Sequence, residues 1–189
     1  FEFVNHHWGT GVIYYLVYKF FGFVGLSLLN VILFFGAFLL FFKLAEKIAG
    51  FRITFLVSII VIPFLSERVE VRPETFSYFF FVVFFNIVYR YIFLKLNRKW
   101  LYLLPILTLF WVNLHIYFFL GFLVVSVFLV SEIVKKNRNM VIIKDLSVVL
   151  IICFVVSFIN PLGYKIALFP LQIFTNYEYR IVENQSIYF

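Results

Sequence analysis

Charge is scarce in this chain. Of its 189 residues, 13% are Asp, Glu, Lys or Arg, against 65% hydrophobic and 24% aromatic. Its mean hydropathy is +1.06. A soluble domain is about half apolar and roughly a quarter charged, so this chain has too few charges to cover its own surface in water. That shortage excludes a soluble single domain and a disordered tail. Cysteine is nearly absent as well. Cys153 stands alone inside an apolar run, which excludes an intrachain disulfide, a disulfide scaffold and a C-x-x-C site, and reads as a small buried hydrophobe. No P-loop, G-x-G-x-x-G, nucleophile elbow or H-E-x-x-H occurs, so soluble nucleotide-handling chemistry has no foothold.

What is present is long apolar runs. A membrane-crossing helix takes about 20 mostly apolar residues. Six runs qualify as spans or short spans: Val24 to Phe42, Ile53 to Leu65, Thr75 to Leu94, Leu101 to Val112, Ile116 to Ser131 and Leu146 to Ile159. The stretch from Trp100 to Glu132 is divided because Trp111-Val112-Asn113-Leu114-His115 is polar enough to mark a turn. The expected fold class is therefore all-α, a polytopic helical bundle of about six passes forming a single domain over residues 1–189.

The net charge of +7 suggests nucleic acid only if the basic residues cluster on one face. They do not. Lys43, Lys47 and Arg52, then Lys95, Arg98 and Lys99, then Lys135, Lys136, Arg138 and Lys144 occupy alternate inter-span loops. Only Lys19, Arg68, Arg72, Lys165 and Arg180 fall in the remaining polar segments, where Glu67, Glu70 and Glu74 also lie. Basic loops mark the cytoplasmic side, so both ends are expected outside. The partner is a lipid bilayer and not nucleic acid; oligomeric state is left open.

Several spans are short. At about 1.5 Å per residue they reach roughly 20 Å, less than the ~30 Å hydrocarbon core. Either the bilayer thins there or polar groups line a recessed cavity open to the outer face. Trp8 to Phe20 and Tyr164 to Phe174 carry helical apolar stripes and are expected to lie along the outer interface.

The unusual polar groups gather on the same expected face: Asn5, His6, His7 and Trp8; Glu70, Arg72 and Glu74; Asn113 and His115; Asn160; Glu183, Gln185 and Ser186. Ionisable groups at membrane depth are costly and usually face an interior or a cavity. Arg72 suits bidentate phosphate binding, or pairs with Glu70 or Glu74. Pro73 and Glu74 suit the start of a helix. His115 can donate to phosphate or move a proton, or is satisfied by backbone. Asn113 either enters the cavity or caps a helix. His6 and His7 with His115 offer three nitrogens, a weak zinc signal, and no metal site is assigned. Asn30 and Asn86 are expected to hydrogen-bond between helices.

In order, Asn5-His6-His7-Trp8, Arg72-Pro73-Glu74-Thr75-Phe76-Ser77, Trp111-Val112-Asn113-Leu114-His115, Asn160-Pro161-Leu162-Gly163-Tyr164 and Glu183-Asn184-Gln185-Ser186 resemble bacterial polytopic membrane proteins of the C-type (GT-C) glycosyltransferase superfamily, near the dolichyl-phosphate-mannose transferase-like groups. The resemblance spans almost the whole chain. It implies a bacterial inner-membrane enzyme that takes a sugar from a polyprenyl-phosphate-type lipid donor at the outer face. It also implies an acidic residue in the first outer loop. That loop would lie largely upstream of Phe1, so the chain, which opens on Phe1-Glu2-Phe3, is expected to be a fragment lacking the catalytic carboxylate. Relatives often carry an acid where His7 stands. By resemblance the catalytic residue is unassigned, and Arg72, His115, Asn113, His6, His7, Glu74, Asn160 and Gln185 are candidates for holding the donor. No cofactor is assigned; some relatives use a divalent cation. The competing expectations are a transporter or flippase of an amphiphilic substrate and a non-catalytic assembly subunit.

Overall fold

The computed structural model describes Asn5 and residues 7–66 and 70–171. The candidates His6 and Gln185, with Glu183 and Ser186, lie outside these residues. The described residues are mostly helical, with no strand among them. The helices are α1 (Trp8–Ala49), α2 (Phe51–Ser66), α3 (Glu74–Phe93), α4 (Leu103–Leu114), α5 (Phe119–Val134), α6 (Met140–Val156) and the single turn α7 (Tyr164–Ala167). Short 3-10 turns, Arg98–Tyr102 and Ile116–Phe118, lead into α4 and α5. Each of the six expected spans overlaps one of α1 to α6, with bounds that differ. Among the described residues, three helical segments are long and apolar enough to cross a membrane, not six: Trp8–Ala49, Glu74–Phe93 and Ile116–Val134.

The expected interfacial helix and the first span are one continuous element broken at a single residue. Gly22 takes φ 61° and ψ −158° inside α1, a conformation open to glycine and costly for any residue with a Cβ. It separates an arm, 8–21, from the long segment 23–49. In the arm Val12, Tyr15, Leu16 and Phe20 are exposed, while Ile13 and Tyr14 pack on the core. The second expected interfacial helix, Tyr164 to Phe174, lies partly outside the described residues. Among the described residues it is α7 and a further turn at 169–171.

The surface shows what solvent these helices need. On α2, Ile53, Phe55, Leu56, Ile59, Ile60, Ile62, Phe64 and Leu65 are exposed, and Thr54 is buried. A helix apolar all round is stable only where its surroundings are apolar. These helices require a lipid bilayer, and the protein is integral to a membrane.

The core is aromatic and centred on α3. Phe80 stacks on Trp111 at 5.5 Å, and Phe84 meets the same indole edge-on at 5.5 Å. Around them pack Leu104, Val112, Val125, Leu146 and Val149. Two hydrogen bonds from polar side chains join helices here. Thr75 donates to Asn30 Oδ1 at 2.7 Å, and Asn86 Nδ2 donates to the Leu40 carbonyl at 2.9 Å. Both bonds tie α3 to α1, and such bonds within membranes contribute about 0.6 kcal/mol each.

Two acids that the sequence reading passed over anchor the end of the bundle where the basic loops meet. Asp145 of α6 is buried. It accepts from the Tyr91 hydroxyl at 2.6 Å and faces Arg98 Nη2 at 2.7 Å. Buried Glu132 pairs with Lys135, whose ammonium lies 5.3 Å from the Phe93 ring centroid. These pairs lock the ends of α3, α5 and α6 together. Arg98→Ala leaves the Asp145 carboxylate without its counter-charge. Because the guanidinium is half exposed, the expected loss is about 1–3 kcal/mol, read as a lower unfolding midpoint in detergent. Asp145→Asn, which removes the charge itself, should cost less.

Candidate polar site at the start of the third helix

The opposite end of the bundle is organised by the first turns of α3. Pro73, at φ −55°, immediately precedes the helix, and the Arg72 and Pro73 carbonyls accept from the amides of Thr75 and Phe76. Proline spends no needed N–H there, and Glu74 in the first turn meets the positive end of the helix dipole. Arg72 thus stands on a fixed pedestal. Its carbonyl accepts from the Tyr14 hydroxyl at 2.8 Å, and its guanidinium contacts Glu70 Oε2. Glu70 is one of the two acids expected to pair with Arg72. Glu74 accepts from the Tyr78 hydroxyl at 3.5 Å.

One turn further into α3, Ser77 reaches His115. Here α4 stops: His115 is extended at φ −157° and ψ 146°. Its Nδ1 accepts the Tyr117 amide at 3.3 Å and lies 2.8 Å from Ser77 Oγ. Trp111 Nε1 donates to the same Ser77 oxygen at 2.8 Å. The His7 ring stacks on His115 at 4.8 Å and 14°, and Tyr117 meets it edge-on at 4.5 Å. The sequence placed His7, Asn113 and His115 on one face, and the fold brings them together. It missed Ser77, Trp111 and Tyr117 as partners, because two of these look like ordinary core aromatics and one like an ordinary helix serine.

Asn113 and Asn160 serve as braces. Asn113 accepts from Trp8 Nε1 at 3.0 Å and donates to the carbonyls of Leu109 at 2.7 Å and Ile159 at 3.2 Å, joining α1, α4 and the end of α6. Asn160 donates to the Ser157 and Gly163 carbonyls and accepts from the Leu162 amide, which closes the turn before α7. Among the described residues no group of three or more His, Cys, Asp or Glu is placed to hold a metal ion.

No family model, curated protein or solved structure matches the chain in comparisons with known proteins.

The arm of α1 reaches this end through one close approach. A Cβ at Gly9 would fall 2.5 Å from the Asn113 carbonyl oxygen, and beside it Thr10 donates to the Leu114 carbonyl at 2.6 Å. Gly9→Ala must push the arm off α4. We expect about 1–3 kcal/mol of lost stability, measured as a lower unfolding midpoint, with loss of the Trp8–Asn113 and Thr10–Leu114 bonds.

A cavity of about 520 Å³ runs between α1, α2 and α3, walled by Phe38, Phe41, Val57, Val61 and Phe81 among others. It stretches from Ala49 and Ile53 near the basic end to Phe34, Leu65 and Tyr78 near the polar end. Its walls are almost wholly apolar, and Tyr78 belongs both to it and to the Glu74 contact.

Proposed function

We propose that the protein is a membrane glycosyltransferase moving a sugar from a polyprenyl-phosphate-type lipid to an acceptor at the outer face. One observation carries the reading: an apolar cleft whose end residue, Tyr78, touches Glu74, two residues from the Arg72 guanidinium. An amphiphile with a hydrocarbon tail and an anionic head has matching chemistry along that line. The tail lies between α1, α2 and α3, and the phosphate lies near Arg72 and His115. In this reading α1 to α6 cross the membrane six times, the basic end is cytoplasmic, and the polar end faces out. The motif order that resembles the GT-C superfamily supports the same reading.

Reconstitution of the full-length protein with a polyprenyl-phosphate sugar tests it. Loss of the sugar from the lipid, with a new covalent product, is expected. Passage of the intact lipid across the bilayer with no covalent product would replace this reading with transport.

A further inference from the structure

The hydrogen-bond directions around His115 follow from which partners are able only to donate. The indole N–H of Trp111 has no acceptor role, so it donates to Ser77 Oγ at 2.8 Å. The amide of Tyr117 likewise only donates, so His115 Nδ1 must present a lone pair to it at 3.3 Å. A ring nitrogen with its lone pair turned outward carries no hydrogen. Ser77 then gives its single hydroxyl hydrogen to the same Nδ1, 2.8 Å away. The chain runs one way, from indole N–H to hydroxyl to imidazole. Trp111, Ser77 and His115 are all buried, so water does not compete for these positions. Stacking by His7 and the edge of Tyr117 hold the plane of the ring.

We propose that Ser77 and Trp111 are positioning residues that hold His115 in its Nε2–H tautomer, so that Nε2 acts as a hydrogen-bond donor and not as a base. In neutral imidazole one nitrogen donates and the other accepts, and the bond made by one fixes the role of the other. With Nδ1 committed as acceptor, Nε2 carries the proton. Resting on the glycosyltransferase reading, an N–H donor fixed in this way is the form that would stabilise an anionic phosphate oxygen as the sugar leaves. Deprotonation of the acceptor hydroxyl then belongs to another group.

The test is long-range proton–nitrogen correlation NMR on the full-length protein in nanodiscs with ¹⁵N-labelled histidine. The His115 signals are assigned by their loss in His115→Asn. In the wild type His115 should be almost entirely Nε2–H. Ser77→Ala should raise the Nδ1–H population several-fold, and Trp111→Phe should raise it less. Ser77→Thr, which restores the hydroxyl, should return it to the wild-type value. An Nδ1–H ring in the wild type, or populations unmoved by Ser77→Ala, overturns the inference whatever the transfer assay gives. A wild-type Nε2–H ring in a protein that transfers no sugar overturns the functional reading and leaves the tautomer assignment standing.

Discussion

His115→Ala in the full-length protein is expected to lower sugar transfer by about 10²–10³-fold, the usual cost of removing one preorganised donor to a developing oxyanion. The loss should fall mainly on kcat, because charge on the leaving phosphate grows only as the sugar departs. Membrane insertion and expression should persist. Truncation frees the Ser77 hydroxyl and the Tyr117 amide, but the aromatic core of Phe80, Phe84 and Trp111 is untouched. The measurement is turnover of a polyprenyl-phosphate sugar in proteoliposomes at matched protein levels.

Arg72→Ala should cut transfer by about 10²-fold or more, this time with a raised KM, because a guanidinium grips a phosphate already in the ground state. Arg72→Lys should recover only part of it, since an ammonium keeps the charge and loses the planar fork. Glu70→Gln separates this role from a structural one. Glu70 is the carboxylate that the guanidinium contacts. If Arg72 matters only through that pair, Glu70→Gln will be as damaging as Arg72→Ala. If it holds phosphate, Glu70→Gln will keep most of the activity. Unchanged turnover in both His115→Ala and Arg72→Ala would remove this site from the reaction.

Much of the helical layout was legible in order along the chain. Apolar runs gave the positions of α1 to α6, and the polar Trp111-to-His115 stretch marked a true break, because His115 leaves the helix there. Asn30 and Asn86 were read as interhelical bonding groups, and both bond between α1 and α3 or its neighbouring backbone. The same approach did not find Asp145 or Glu132. Asp145 follows Lys144 and Glu132 lies three residues before Lys135, so each looks like ordinary loop charge. Only the packing of α5 against α3 and α6 shows that their carboxylates are buried. Nor did polarity alone distinguish Asn113 and Asn160 from His115. An amide that caps a turn and one that meets a ligand are the same residue in a sequence, and their partners come from distant segments.

By itself the sequence determined the solvent. Too few charges and too many long apolar runs leave a lipid bilayer as the environment, since burial of apolar surface is a sum over composition and needs no knowledge of contacts. It also grouped His7, Trp8, Asn113 and His115, which the fold brings together. The tertiary structure decided which of those groups act on each other. The Trp111–Ser77–His115 chain joins residues 34 and 38 positions apart, and hydrogen bonds depend on distance and direction to within a few tenths of an ångström. No local pattern encodes that, so the partners of His115 had to wait for the fold.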